Sequence, residues 1–145
     1  MPNLLNAQID YRVTETSWGT WKQYLYYNGA LYREFTSHAS IAGWPLLQFV
    51  AGRSPETGRV PTARGIIAVG QKARGFLAIG QMATGVIAVG QLAIGLLAGV
   101  GQAACGVIAI GQLAVGVFTL GQFAVGGWVG AQFRFGGDLR SLLKR

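Results

Sequence analysis

Charge is scarce in this 145-residue chain, at 12% of residues, where an ordinary soluble domain carries about 25%. The single cysteine, Cys105, excludes a disulfide framework. With the single histidine, His38, it leaves no zinc-type ligand set, so no metal is expected. Four prolines without a Gly-X-Y period exclude collagen, and 51% apolar residues exclude a disordered acidic chain. Catalytic constellations are missing as well. No carboxylates pair in a recognisable motif, one His supports no Ser-His-Asp set, and no Gly-Lys-Ser/Thr phosphate loop occurs. Gly99-Val100-Gly101 with Gly106 misses the dinucleotide-loop spacing. The reading is therefore non-enzymatic, with no cofactor. The start, MPNLLNAQIDYRV, has no basic segment before an apolar run, which predicts no signal peptide and a reducing, cytoplasmic setting.

The charge that is present is unevenly placed. Residues 1–52 balance Arg12, Lys22 and Arg33 against Asp10, Glu15 and Glu34. Residues 53–74 hold Arg53, Arg59, Arg64, Lys72 and Arg74 against Glu56 alone. Residues 134–145 hold Arg134, Arg140, Lys144 and Arg145 against Asp138. From 75 to 133 there is no charged residue.

That uncharged block is a repeat. Gly recurs at 65, 70, 75, 80, 85, 90 and 95, slips by one residue at Gly99-Val100, and resumes at 101, 106, 111, 116, 121 and 126. The unit is Gly-x-x-Ala-x, with Ala in the fourth place at 68, 73, 78, 83, 88, 93, 98, 104, 109, 114 and 124, and Thr119 as the exception. The second place alternates between an apolar residue (Ile66, Phe76, Val86, Leu96, Val107, Val117) and Gln (Gln71, Gln81, Gln91, Gln102, Gln112, Gln122). So a period of ten overlies the period of five.

A pair of transmembrane helices would satisfy the length and the lack of charge. The period opposes it. A ten-residue step on an α-helix turns each Gln by roughly 80°, which spirals the six amides around the rod and into lipid. A β-solenoid turns the same spacing to advantage. Equivalent residues of successive coils stack about 4.8 Å apart, Gly tolerates the corners, and Ala stacks on Ala. The Gln side chains then form a structural ladder, each amide donating to one coil and accepting from the next. Coils of ten residues, about six of them, or of twenty, about three, both fit.

Strict alternation puts places 2 and 4 on one face and places 3 and 5 on the other. Lys72 and Arg74 occupy places 3 and 5, so those are expected to face outward. The outward set then includes Leu77, Ile79, Ile87, Val89, Leu92, Ile94, Ile108, Ile110, Leu113, Val115, Phe118, Leu120, Phe123 and Val125. An apolar exterior of that size demands partners: other copies of the chain, with membrane lipid as the second candidate. The inward alternative leaves Gln and Ala as the only wall.

The run Gly65-Ile66-Ile67-Ala68-Val69-Gly70-Gln71-Lys72-Ala73-Arg74-Gly75-Phe76-Leu77-Ala78-Ile79-Gly80 resembles the Gly-x-x-Ala-Ile-Gly arrays of poorly characterised bacterial proteins expected to form β-solenoids. The lead-in from Pro55 to Arg59, followed by Ala63-Arg64-Gly65, is similar to how such arrays begin. In architecture the pattern is similar to pentapeptide-repeat proteins and bactofilins, whose β-helices stack into filaments. It departs from the pentapeptide-repeat pattern in holding Gly and Gln where Asp or Asn is favoured. The resemblance covers about residues 45–130 and implies a fold, with almost nothing about activity.

Ahead of the repeat, the segment from Lys22 to Phe35 reads as a β-hairpin around a type I′ turn at Asn28-Gly29. Tyr27 is expected opposite Ala30, Tyr26 opposite Leu31 and Leu25 opposite Tyr32. Residues 9–16 alternate as a third strand, and the aromatics read as cross-strand packing. Nucleic acid is a disfavoured partner, because the aromatic segment has no net charge. The last residues, Asp138 to Arg145, read as a short helix with Asp138 as N-cap.

The expected organisation is an N-terminal hairpin cap at 1–52, a linker at 53–64, an all-β solenoid at 65–130 and a basic tail with a short helix at 131–145. The expected function is a structural protein that self-assembles into a filament or homo-oligomer. Attachment to a membrane through the uncharged repeat and its basic flanks is the alternative.

Overall fold

Three residues, Tyr27-Asn28-Gly29, decide the register of the two strands they join. Only Gly29 of these takes a positive φ, 85°, so the turn is not type I′. Tyr26 N–H donates to the Ala30 carbonyl at 2.8 Å and Gly29 N–H to the Tyr26 carbonyl at 2.9 Å, closing a three-residue loop. The Asn28 side-chain oxygen accepts from Ala30 N–H at 3.0 Å, an Asx turn that holds Asn28 at negative φ. This is the type I turn with a glycine bulge. It shifts the pairing by one residue from expectation: Tyr24 faces Tyr32 and Leu25 faces Leu31. Both φ values are instead positive at Ala42 (54°) and Gly43 (79°), where a type I′ geometry joins two short strands.

The computed structural model describes residues 11–138, with side chains to 130. Within them the chain is all-β, with no helix. The elements are β1 (Arg12–Glu15), β2 (Gly19–Leu25), β3 (Leu31–Ser37), β4 (Ser40–Ile41), β5 (Trp44–Pro45), β6 (Leu47–Ala51), β7 (Thr62–Gly70) and β8 (Lys72–Asp138). Six of them form one sheet in the order β1-β2-β3-β6-β7-β8, and β4 pairs with β5 apart from it. The sheet is open, with β1 and β8 at its edges. Pairing is antiparallel from β1 through β6 and parallel from β6 through β8. The third strand expected from residues 9–16 is β1. Strand β7 begins at Thr62, inside the segment expected to be linker, and the expected C-terminal helix falls mostly beyond the described residues, with Asp138 ending β8.

β7 pairs with β8 at an offset of ten: Ala63 with Ala73, Gly65 with Gly75, Ala68 with Ala78. The offset persists inside β8. Met82 N–H donates to the Gln71 carbonyl at 2.9 Å, the bond a parallel pair of Lys72 and Met82 requires. Residues ten apart on a straight strand would be about 33 Å apart, so the 67-residue β8 returns on itself. The glycines explain the return. A Cβ on Gly75, Gly80, Gly85 or Gly90 would collide with the carbonyl oxygen of the glycine ten residues earlier, and the same holds at Gly111, Gly116, Gly121 and Gly126. Across the slip the offset becomes eleven, Gly101 against Gly90.

The buried residues of the repeat are the fourth-place alanines, most at 0–2% exposure, with Thr119 and Val129 continuing the series. Thr119 Oγ1 reaches the Trp128 carbonyl at 3.5 Å. At the slip the buried position is Gly99, while Ala98 is only half-buried. The extra residue therefore lies ahead of Gly99, in the strand, rather than at the corner. It divides the core into one cluster ending at Ala93 and another starting at Ala104.

The close approach of glycines makes a sharp prediction. Gly90→Ala should cost about 1–3 kcal/mol by overpacking and lower the thermal midpoint by several degrees. Ala42→Gly should raise it slightly, since it relieves a left-handed alanine worth about 1 kcal/mol. Circular dichroism melts of a strand-rich spectrum check both, and an unchanged midpoint for Gly90→Ala would contradict the glycine contacts.

Candidate interaction surface

Outside the fourth-place alanines, the walls of the repeat face solvent. Of the fourteen residues expected outward at places 3 and 5, all are exposed except Leu77 and Ile87, which are half-buried. Place 2 departs from expectation. Instead of facing inward with Ala, Gln71, Gln81, Gln91, Gln102, Gln112 and Gln122 are all exposed, as are Phe76, Leu96, Val107 and Val117. Leu96 is 75% exposed. The glycine at place 1 resets the alternation, so place 2 belongs to the corner and not to the strand behind it. Glutamine carried this signal: a core one methyl deep has no room for an amide. Among the described residues no side-chain hydrogen bond joins one of these glutamines to the next, so the expected ladder is a stripe of exposed amides at ten-residue spacing.

The ten-residue register sorts the exterior into columns. Place 2 alternates between Gln and an apolar residue, so residues ten apart fall into a Gln column and an apolar column, and places 3 and 5 add further apolar columns. Charge enters only at the start. Arg64 and Arg74 are register partners, Lys72 lies two residues before Arg74 on the same face, and all three are exposed. They line a cleft of about 260 Å³ with Thr62, Met82 and Thr84. Beside it runs a groove of about 540 Å³ walled by Trp44, Ile66, Phe76, Val86 and Leu96, with Arg74 and Thr84 at its rim. Thr84, Gly85 and Leu96 also line a further stretch of about 420 Å³ with Ile94, Cys105, Val107 and Val115.

The N-terminal sheet covers the other end of β7. Trp21 packs on Phe35 at 4.9 Å between ring centroids and on Phe49 at 6.2 Å. On the opposite face Tyr24 meets Tyr26 edge-on at 5.0 Å and Tyr11 at 6.2 Å. Trp18 and Tyr27 stay exposed. Gln48 ties the sheet to the repeat: its side-chain oxygen accepts from Arg64 N–H at 2.6 Å while its amide donates to Glu34 at 3.3 Å. Tyr32, buried, donates to Glu34 at 2.6 Å. Burial first, then this bond to a carboxylate, pushes the Tyr32 phenol well above its ordinary value; Tyr11 is raised in the same way, by burial and by Glu56.

Among the described residues no catalytic geometry assembles around His38 or Cys105. His38 Nε2 lies 3.2 Å from Thr20 Oγ1, both exposed in the contact, and no carboxylate orients the ring among the described residues. Cys105 is exposed on the apolar wall. No three His, Cys, Asp or Glu side chains converge as metal ligands among the described residues. No helix there is long and apolar enough to cross a membrane. Compared with protein-family models, with curated proteins and with solved structures, the chain finds no match in any of the three.

Tyr32 gives this cap a pH signature. A phenol with a raised folded pKa stabilises the fold below its unfolded value of about 10 and loses that contribution as pH climbs from there through the folded pKa. Urea midpoints should therefore fall from about pH 10 upward, and Tyr32→Phe should flatten that fall while costing about 1–3 kcal/mol at pH 7 from the lost bond to a charged acceptor.

Proposed function

We propose that this chain is a β-solenoid of ten-residue, two-sided coils that acts as a non-enzymatic scaffold and assembles with copies of itself. The offset of ten, the glycine corners and the alanine column support the coil, and they agree with the resemblance to Gly-x-x-Ala-Ile-Gly arrays. One observation carries the assembly: from Phe76 to Val125 the exterior is built of large exposed apolar side chains with no charge among them. A soluble monomer seldom exposes more than a few hundred Å² of contiguous apolar surface, and columns such as Ile79, Val89, Ile110 and Leu120 run the length of the repeat.

Faces rather than the N-terminal end are the favoured contact. β6 already occupies the edge of β7 over Ile67–Gly70, and Gln48 takes the Arg64 N–H, so little unpaired backbone is left there for another coil. A filament or closed oligomer then forms by burying apolar columns against each other, with the Gln stripe as a polar seam between them.

Sedimentation velocity over micromolar to millimolar concentration tests this in lipid-free buffer. The wild-type chain should run as an oligomer whose size grows with concentration. Ile110→Glu with Leu120→Glu, both at exposed positions, should shift the dissociation midpoint by at least about tenfold, the equivalent of about 1.4 kcal/mol. A strictly monomeric wild type sinks the proposal.

A further inference from the structure

The cationic cleft and the apolar groove beside it are one continuous surface, and together they have the chemistry of an amphiphile. Arg64 and Arg74 face each other across a parallel pair, an arrangement of like charges that disfavours itself. Among the described residues no carboxylate lines their cleft. Glu34 and Glu56 are engaged elsewhere, by Tyr32 and Gln48 and by Tyr11. An anion seated among Arg64, Lys72 and Arg74 would relieve the repulsion, with the Thr62 and Thr84 hydroxyls on the same lining.

Leading away from that cleft, the groove is apolar. Arg74 and Thr84 stand at both the cleft and the groove, and Leu96 continues the wall into the second stretch. Gly75, Gly85, Gly95, Gly106 and Gly116 lie along its lining, one from each successive pass. Four coil steps separate the first of these from the last, about 19 Å at ~4.8 Å per step. One leaflet of a bilayer is about 15 Å of hydrocarbon, half of the ~30 Å core. A headgroup anion with a chain of leaflet length attached matches both the charge and the reach.

We propose that this surface is a binding site for an anionic phospholipid of a membrane leaflet, with the phosphate on Arg64, Lys72 and Arg74 and one acyl chain along the groove. The site uses the ten-residue register and not the self-association proposed above. It gives a specific form to the membrane attachment that the basic flank and uncharged repeat allow.

Vesicle flotation of the full chain tests it. Vesicles of phosphatidylglycerol and phosphatidylcholine should carry the protein up the gradient, and phosphatidylcholine alone should carry at least about tenfold less. Lys72→Gln with Arg74→Gln should abolish that difference while leaving the circular dichroism spectrum and the lipid-free sedimentation unchanged. Leu96→Glu should weaken binding with the cations intact. Trp44 at the groove reads the acyl chain: lipids brominated on the chain should quench wild-type fluorescence more than that of Trp44→Phe. Equal flotation on the two vesicle types, or full binding by the Gln double variant, overturns the site. Such a result leaves lipid-free assembly untouched, and a monomeric wild type that still floats on phosphatidylglycerol would remove the assembly alone.

Discussion

The approach of one glycine to the carbonyl of the glycine ten residues before it is the constraint on which the repeat rests. At these corners the backbone of one pass lies where the next residue's Cβ would be, so no other residue can hold the place without displacing the stack. Loss of side chains at place 1 has a second effect. It leaves the interior so shallow that a methyl group fills it, and Ala at place 4 becomes the residue that fits. Among the described residues Thr119 and Val129 are the largest side chains fully buried, which measures how little depth is available.

A core of methyl groups buries little area per residue. At roughly 25 cal/mol per Å², alanine contributes far less than the Leu and Ile side chains that fill ordinary cores. The backbone hydrogen bonds between passes therefore carry much of the cohesion, each worth about 1 kcal/mol net and regularly spaced because the register never changes except at the slip. The large apolar residues are not missing from the sequence; they have been excluded from the interior by its thinness. Their exposure along the walls follows from the glycine contacts.

Much of this was legible in the sequence, because periodicity reports directly on stacking. The glycines and alanines announced the five-residue unit, the alternation of Gln with apolar residues announced the ten, and Lys72 with Arg74 at places 3 and 5 announced which side faces out. Place 2 was misread because alternation is a property of an uninterrupted strand, and glycine interrupts it once per side. The hairpin register was misread for a related reason. Asn28-Gly29 suits a two-residue type I′ turn, but Asn28 caps Ala30 with its own side chain and keeps a negative φ, so the loop grows to three residues. The cationic cleft was beyond sequence reasoning in a different sense. Arg64 and Arg74 are ten residues apart, and only the offset of the pairing makes them neighbours.

The junction between cap and repeat shows why the two halves need each other. From β1 to β6 the sheet is antiparallel, with ring-on-ring packing across strands; from β6 onward it is parallel and its core is methyl groups. A parallel stack of short passes begins with a bare edge, the kind of edge that recruits other strands. β6 closes that edge over one side of the first pass by main-chain pairing, and Gln48, projecting from β6, supplies to Arg64 the acceptor that a further strand would have supplied. That part of the edge is thereby paired, with less unpaired backbone left for a further strand. What the cap does not cover is the lateral surface of the repeat, where the large apolar side chains stay exposed and side chains rather than unpaired backbone face outward.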